Sequence, residues 1–254
     1  MYLDVPKASM GLIIFDLDGT LVNSMPTHAK AYGEALHTAF SIPEPECQRD
    51  YYFTAGQPLG QQFEHTLTLF GITFSEADLK ELSQKFLGIL RRSQYELFPS
   101  TAAIVAQLSR AGYRLAISSG SPPDNVAAKL RHTALRGYFS VVLGSDYEKN
   151  ILLKGAEHFK QIKNQLCVSD ASFIENTLAV GDSPHDMEIA RSAKLRSVGV
   201  AGTPENHPGF QNDHEKELRD AGANYLINDL EGLLDILAPG QSHTVFNPIA
   251  QLPR

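Results

Sequence analysis

The 254-residue sequence has no tryptophan, two cysteines and four methionines, and no apolar run approaches the length needed to span a bilayer. Cys47 and Cys167 lie far apart and neither belongs to a C-x-x-C pair. That excludes a thiol framework for metal or redox chemistry, and both read as reduced core residues. Positive charge is also scarce, with 22 Lys and Arg against 29 Asp and Glu and a formal net charge of -7. Such a surface repels nucleic-acid backbones and anionic membranes, so neither is expected as a partner, and any anionic ligand must be held by local positive groups. The opening segment "MYLDVPKASM" lacks the basic-then-apolar order of a signal peptide, which makes the cytoplasm the expected location.

What is present is enough apolar residue, 43% of the chain, to bury a full-sized core. Short apolar runs recur at residues 11–15 (GLIIF), 114–118 (RLAIS), 141–143 (VVL), 178–180 (LAV), 197–200 (SVGV) and 224–227 (NYLI). Helical patterns lie between them. Strands alternating with helices predict right-handed crossovers and a doubly wound, mostly parallel α/β sheet covered on both faces.

One interval breaks that alternation. From Met25 to Leu97 no strand is expected, and helical segments are read at Thr27–Phe40, Leu59–Phe70 and Ser75–Glu96. Ser75 followed by Glu76 and Asp78 marks a helix start, and Leu79, Leu82, Phe86, Leu87 and Leu90 recur on one face. Residues 25–97 therefore read as an all-helical module inserted into a domain formed by 1–24 and 98–254, with Phe98-Pro99 as the return hinge. Past Val200 a polar, Pro- and Gly-rich stretch predicts a surface excursion before the last strand and the helix "LEGLLDIL".

Ligands of open parallel sheets sit beyond the carboxyl ends of the strands. Polar side chains gather there in this sequence: Asp16-Leu17-Asp18-Gly19-Thr20 after the first run, Ser118-Ser119-Gly120 after the second, Lys149 and Lys154 after the third, and Gly181-Asp182-Ser183-Pro184-His185-Asp186 after the fourth. Turn and cap chemistry accounts for any one of these groups, but capping does not require all of them in order. Asp16, Asp18, Asp182 and Asp186 would crowd negative charge, which raises carboxyl pKa values or demands a cation. A hard divalent ion with oxygen ligands, Mg²⁺ above all, meets that demand.

"FDLDGTLVNS", "LAISSGS" and "VGDSPHDMEIARSA" resemble motifs I, II and IV of the haloacid dehalogenase superfamily of phosphotransferases, over about Gly11 to Val200. "LLKGAEHF" resembles its motif III less closely: Gly155 replaces a proline and the spacing to Phe159 is one residue short. The resemblance implies a small helical cap over an α/β core and a Mg²⁺-dependent phosphatase acting on a small phosphorylated metabolite through an aspartyl-phosphate.

By the same likeness Asp16 is the nucleophile and Asp18 the acid and base. The metal is held by the Asp16 carboxylate, the Asp18 carbonyl and Asp182, with Asp186 and Thr20 behind them. Ser118, with Ser119 as rival, and Lys154, with Lys149 as competitor, hold the phosphate together with backbone N–H groups around Leu17 and Ser119. Thr20 is expected to support the Asp18 loop. Thr54 and Gln57, in a loop similar to the family's substrate-facing cap loop, are candidate substrate contacts. A phosphomutase with the same catalytic set, or a regulatory protein that binds phosphate or metal without turnover, are the alternatives. A monomer or homodimer is expected.

Overall fold

The computed structural model describes residues 11–54, 59–146, 152–202 and 214–237. The chain opens with strand β1 (Leu12–Phe15) and a two-residue strand β2 (Val22–Asn23), then runs through helices α1 (Met25–Phe40), α2 (Glu44–Phe53), α3 (Leu59–Leu69) and α4 (Glu76–Arg92). A second short strand, β3 (Glu96–Leu97), leads into α5 (Thr101–Arg110), β4 (Arg114–Ser118), α6 (Pro123–His132) and β5 (Val141–Leu143). The alternation continues through α7 (Ala156–Gln165), α8 (Asp170–Asn176), β6 (Thr177–Gly181), α9 (Pro184–Ser192) and β7 (Arg196–Val200). It closes with α10 (His214–Ala221), β8 (Tyr225–Ile227) and α11 (Gly232–Leu237).

All six apolar runs become strands of one sheet, ordered β5-β4-β1-β6-β7-β8, and every pairing in it is parallel. β1 lies inside the sheet and is buried along its whole length, which is why its sequence is continuously apolar instead of alternating. Ile13, Phe15, Leu115 and Ile117 pack on one face, and Leu12, Ile14, Ala116 and Phe159 on the other. Each such side chain contributes about 1.5–3 kcal/mol through burial. From β1 the chain first builds outward on one side through β4 and β5, then returns to build β6, β7 and β8 on the other. Strand order therefore reverses at β1, and a crevice must open at its carboxyl end, where Asp16 follows Phe15.

Helices α1 to α4 close around an apolar cluster of their own that includes Tyr32, Phe63, Leu67, Leu82, Phe86 and Leu90, with Tyr32 stacked on Phe63 at a centroid distance of 4.7 Å. The expected start of α4 is a full capping box, in which the Ser75 hydroxyl accepts from the Asp78 N–H and the Asp78 carboxylate accepts from the Ser75 N–H. The helix ends at Arg92, short of the expected Glu96, because the chain turns extended at Ser93 and pairs β3 with β2. This antiparallel pair, Val22 with Leu97 and Asn23 with Glu96, corrects the expectation of a stretch without strands and ties together the two chain crossings that flank the helices.

Helix α2 was not expected. Its buried positions include Asp50, whose carboxylate is bonded by Thr66 and by His65 at 3.1 Å, so a carboxylate network takes the place of part of an apolar stripe. Cys47 is buried as expected, whereas Cys167 is exposed at a left-handed position after α7. Among the described residues no helix is long and apolar enough to cross a membrane.

Candidate active site at the carboxyl end of the central strand

The sheet brings three of the four acidic side chains to one point. Asp16 stands one residue beyond β1, its N–H bonded to the Val180 carbonyl of β6 at 2.8 Å, while Asp182 and Asp186 flank the start of α9. One carboxylate oxygen from each of Asp16, Asp182 and Asp186 lies within 4.8 Å of the others. Lys154, just before α7, reaches into this cluster. Its ammonium donates to Asp16 Oδ1 at 2.5 Å and pairs with Asp186 Oδ1 at 2.6 Å.

Local structure fixes each group. Ser183 caps α9 and forms a capping box with Asp186, whose Oδ2 accepts from the Ser183 hydroxyl at 2.5 Å and from its N–H at 3.2 Å. The bland role of Ser183 as a helix cap thus holds, and it also aims Asp186 at Lys154. Thr20 donates its hydroxyl to Asp182 Oδ1 at 2.7 Å, which ties the loop that carries Asp18 to Asp182. Gly19, at φ +84°, lets that loop pass so close to Asp182 that a Cβ there would overlap the carboxylate.

Burial pushes the Asp16 carboxyl up to about 7; the Lys154 ammonium opposes the rise, and the Asp186 and Asp18 charges add to it. Burial likewise raises the Asp182 carboxyl, reinforced by Asp16 and Asp186. Lys154 alone would be lowered by burial, but Asp16 and Asp186 hold it above its ordinary value. Among the described residues these three carboxylates share a single ammonium. The surplus of buried anionic oxygen is the donor set of a hard divalent cation, so the residues present fit one.

Asp18 faces a different neighbourhood. Lys129, on α6 and wholly buried, bonds its Oδ1, and the Ser121 hydroxyl donates to its Oδ2 at 2.7 Å. Burial would raise this carboxyl, but Lys129 and these hydrogen bonds hold it well below the usual carboxylate range. His28, from the first turns of α1, lies beside the pair, and burial and then the Lys129 charge lower its pKa to about 3. Neither Lys129, Ser121 nor His28 was a candidate from sequence. Lys129 falls on the buried side of α6 with Val126 and Asn125, and that placement was the one signal available.

The remaining candidates divide. The Ser118 hydroxyl lies 2.9 Å from His158 Nδ1, and His158 Nε2 lies 2.8 Å from the Leu152 carbonyl. A carbonyl only accepts, so Nε2 carries the proton and Ser118 donates to Nδ1. That commits Ser118 to holding the segment before Lys154. Ser119 accepts the Ser121 N–H at 3.0 Å, which leaves its own proton to donate, while its backbone N–H is used by the Leu143 carbonyl. Ser145 adds a second tie, donating to the Ser119 carbonyl at 3.1 Å and accepting the Lys154 N–H at 2.9 Å. Thr54 is buried at the end of α2 and donates to the Asp50 carbonyl at 2.8 Å, inside the helical cluster. Gln57 and Lys149 lie outside the described residues.

Comparison with known proteins finds relatives of this chain. A family model for haloacid dehalogenase-like hydrolases matches residues 10–194. A phosphoglycolate phosphatase of Synechococcus elongatus is 33% identical over 193 residues, 75% of this chain and 84% of its own length. One from Vibrio cholerae serotype O1 is 26% identical over 233 residues, 90% and 97% of the two chains. Among solved structures, one described as a predicted phosphoglycolate phosphatase from Haemophilus somnus 129pt superposes with a TM-score of 0.74 at 22% identity, covering 91% of this chain and all of that one. That last likeness concerns the fold.

Proposed function

This chain belongs to the haloacid dehalogenase-like hydrolase family, and from that premise we propose that it hydrolyses a small phosphomonoester with Mg²⁺ bound at Asp16 and Asp182. The observation that carries the proposal is the convergence of Asp16, Asp182 and Asp186 on one ammonium at the carboxyl end of the central strand. The relatives named phosphoglycolate phosphatase support hydrolysis over transfer to a second sugar hydroxyl, and they make 2-phosphoglycolate the first substrate to test.

In this scheme Asp16 attacks phosphorus as a carboxylate. A bond forms between its oxygen and phosphorus, and the bond from phosphorus to the ester oxygen breaks. The resemblance casts Asp18 as the donor of a proton to the departing alkoxide and the acceptor of one from the water that cleaves the aspartyl-phosphate; because Lys129 and Ser121 hold it ionised in this structure, that role requires their contacts to open and the carboxyl to take up a proton when the ester binds. When bound, the cation neutralises charge on the phosphoryl oxygens and on the crowded carboxylates. Lys154 would offer its ammonium to the same oxygens, and Ser119, with a free hydroxyl proton, is a better donor to them than Ser118. Asp186 orients Lys154. Helices α1 to α4 act as a cap, and the contact of His28 with the Asp18 neighbourhood supports that role.

Asp16→Asn keeps the shape but removes the nucleophile. Hydrolysis of 2-phosphoglycolate and of p-nitrophenyl phosphate, followed by phosphate release with Mg²⁺ present, should fall by at least about 10³-fold. An unaltered rate would remove Asp16 from the reaction. The ester that wild type hydrolyses fastest in a panel of phosphorylated metabolites identifies the substrate.

A further inference from the structure

Lys154 brings its ammonium to Asp16 and Asp186, yet the backbone that carries it belongs to neither a strand nor a helix: β5 ends at Leu143 and α7 begins at Ala156. Its neighbours give it no stiffness of their own. Leu152 is held at φ +51°, a left-handed conformation that leucine adopts only at a cost, and Gly155 at φ +133° takes a backbone open chiefly to glycine. Such a segment keeps one shape only where its surroundings over-determine it.

Here they do so one peptide group at a time. The Leu152 carbonyl accepts from His158 Nε2 at 2.8 Å, the Leu153 N–H donates to Glu157 Oε2 at 2.8 Å, and the Lys154 N–H donates to the Ser145 hydroxyl at 2.9 Å. Three consecutive residues are each held by a different side chain. Glu157 is exposed, whereas Ser145 and His158 are wholly buried. Those two are themselves anchored at the end of β4, where Ser145 donates to the Ser119 carbonyl at 3.1 Å and His158 Nδ1 accepts from Ser118 at 2.9 Å. Because β4 pairs directly with β1, these bonds fix the lysine backbone to the strand that presents Asp16. Replacing both partners of a buried hydrogen bond with apolar groups of like shape is nearly neutral for stability. Packing alone therefore does not call for these two polar residues; fixing the backbone does.

We propose that Ser145 and His158 are positioning residues for Lys154: they fix the backbone around it so that its ammonium stands at Asp16 when the phosphate arrives, and they act on turnover only through that lysine. The inference rests on the proposed role of Lys154 at the phosphoryl oxygens. A four-carbon side chain on a loosened backbone spreads its ammonium over many positions, and displacement by about 1 Å is enough to cost a large part of the rate.

The test is kcat and KM for p-nitrophenyl phosphate at saturating Mg²⁺, well below each variant's melting temperature, for Ser145→Ala, His158→Leu and His158→Gln, each alone and combined with Lys154→Met. We expect kcat/KM to fall about 10-fold in Ser145→Ala and about 10- to 100-fold in His158→Leu. His158→Gln, whose amide N–H can still donate to the Leu152 carbonyl, should recover most of the His158→Leu loss. On the Lys154→Met background the same substitutions should cost less than about threefold further, because the group they place is gone. Losses that persist undiminished without Lys154, or single variants that melt lower yet turn over like wild type, would overturn the positioning role. No loss in Lys154→Met itself would instead overturn the reading of Lys154 beneath it. Should His158→Leu fail to fold, Ser145→Ala, the loss of one hydroxyl, decides by the same criterion.

Discussion

Asp16 and Asp18 stand two residues apart on one loop, and their surroundings move them in opposite directions. Asp16 shares Lys154 with Asp186, beside Asp182, and burial with those like charges raises it to about 7. Asp18 has Lys129 to itself, with a serine on its second oxygen, and is held well below the usual carboxylate range. The difference is one of charge supply. On one side of the loop three carboxylates meet one ammonium and the deficit invites a cation; on the other a single carboxylate meets a single ammonium and is complete. The two roles do not follow from these environments as they stand, because the nucleophile is the raised group and the acid the lowered one; a bound cation has to lower Asp16, and the Lys129 contact has to open before Asp18 carries a proton.

The most damaging way to break this contrast is to remove the shared ammonium. Lys154→Met leaves Asp16, Asp182 and Asp186 with no cationic side chain among the described residues, and turnover with Mg²⁺ should drop by about 10³-fold. Breaking such a buried pair also costs about 3–5 kcal/mol. Thermal melts should show that loss largely recovered by a divalent ion. If the variant melts like wild type without metal, the cluster is not short of positive charge.

A smaller effect is expected where the acidic side is built by close approach. Gly19→Ala puts a Cβ into the Asp182 carboxylate at a backbone angle alanine resists, which should cost about 1–3 kcal/mol and weaken Mg²⁺ affinity at least tenfold. Calorimetry with Mg²⁺ reads both. Smaller still is Ser118→Ala. It removes the tie through His158 and should lower stability by about 1 kcal/mol with little change in KM, whereas Ser119→Ala should raise KM for the phosphate ester severalfold.

The acidic side was legible in the sequence and the other side was not, for a physical reason. Asp16, Asp182 and Asp186 follow buried apolar strands, so a parallel sheet alone brings them together. Lys129 lies in "DNVAAKLRH", where a lysine near a helix end normally faces water, and nothing local says that its tip ends under Asp18. The β2–β3 pair is two residues long and joins positions on either side of the helical stretch, which leaves no local periodicity to read. Helix α2 escaped because the stripe position at Asp50 carries a carboxylate satisfied by Thr66 and His65, partners on another helix. Lys154 was legible despite Gly155 standing where the family has proline. At φ +133° that glycine adopts a conformation proline does not reach, and the Ser145 and His158 contacts hold the segment in its place.

The central claim is that burial and crowded like charge raise Asp16 and Asp182 and that a divalent cation relieves this, and a calorimetric titration of Mg²⁺ into the wild-type protein at pH 5.5 and pH 8 tests it most directly. With Asp16 raised to about 7, protonating it stabilises the metal-free fold at low pH, and that contribution is lost as pH rises through about 7, where the bare carboxylate is left to the ion. The account predicts one bound Mg²⁺, tight at pH 8, markedly weaker at pH 5.5 with proton release on binding, and lost in Asp182→Asn. Equal affinity at the two pH values, or binding that survives Asp182→Asn, would contradict it.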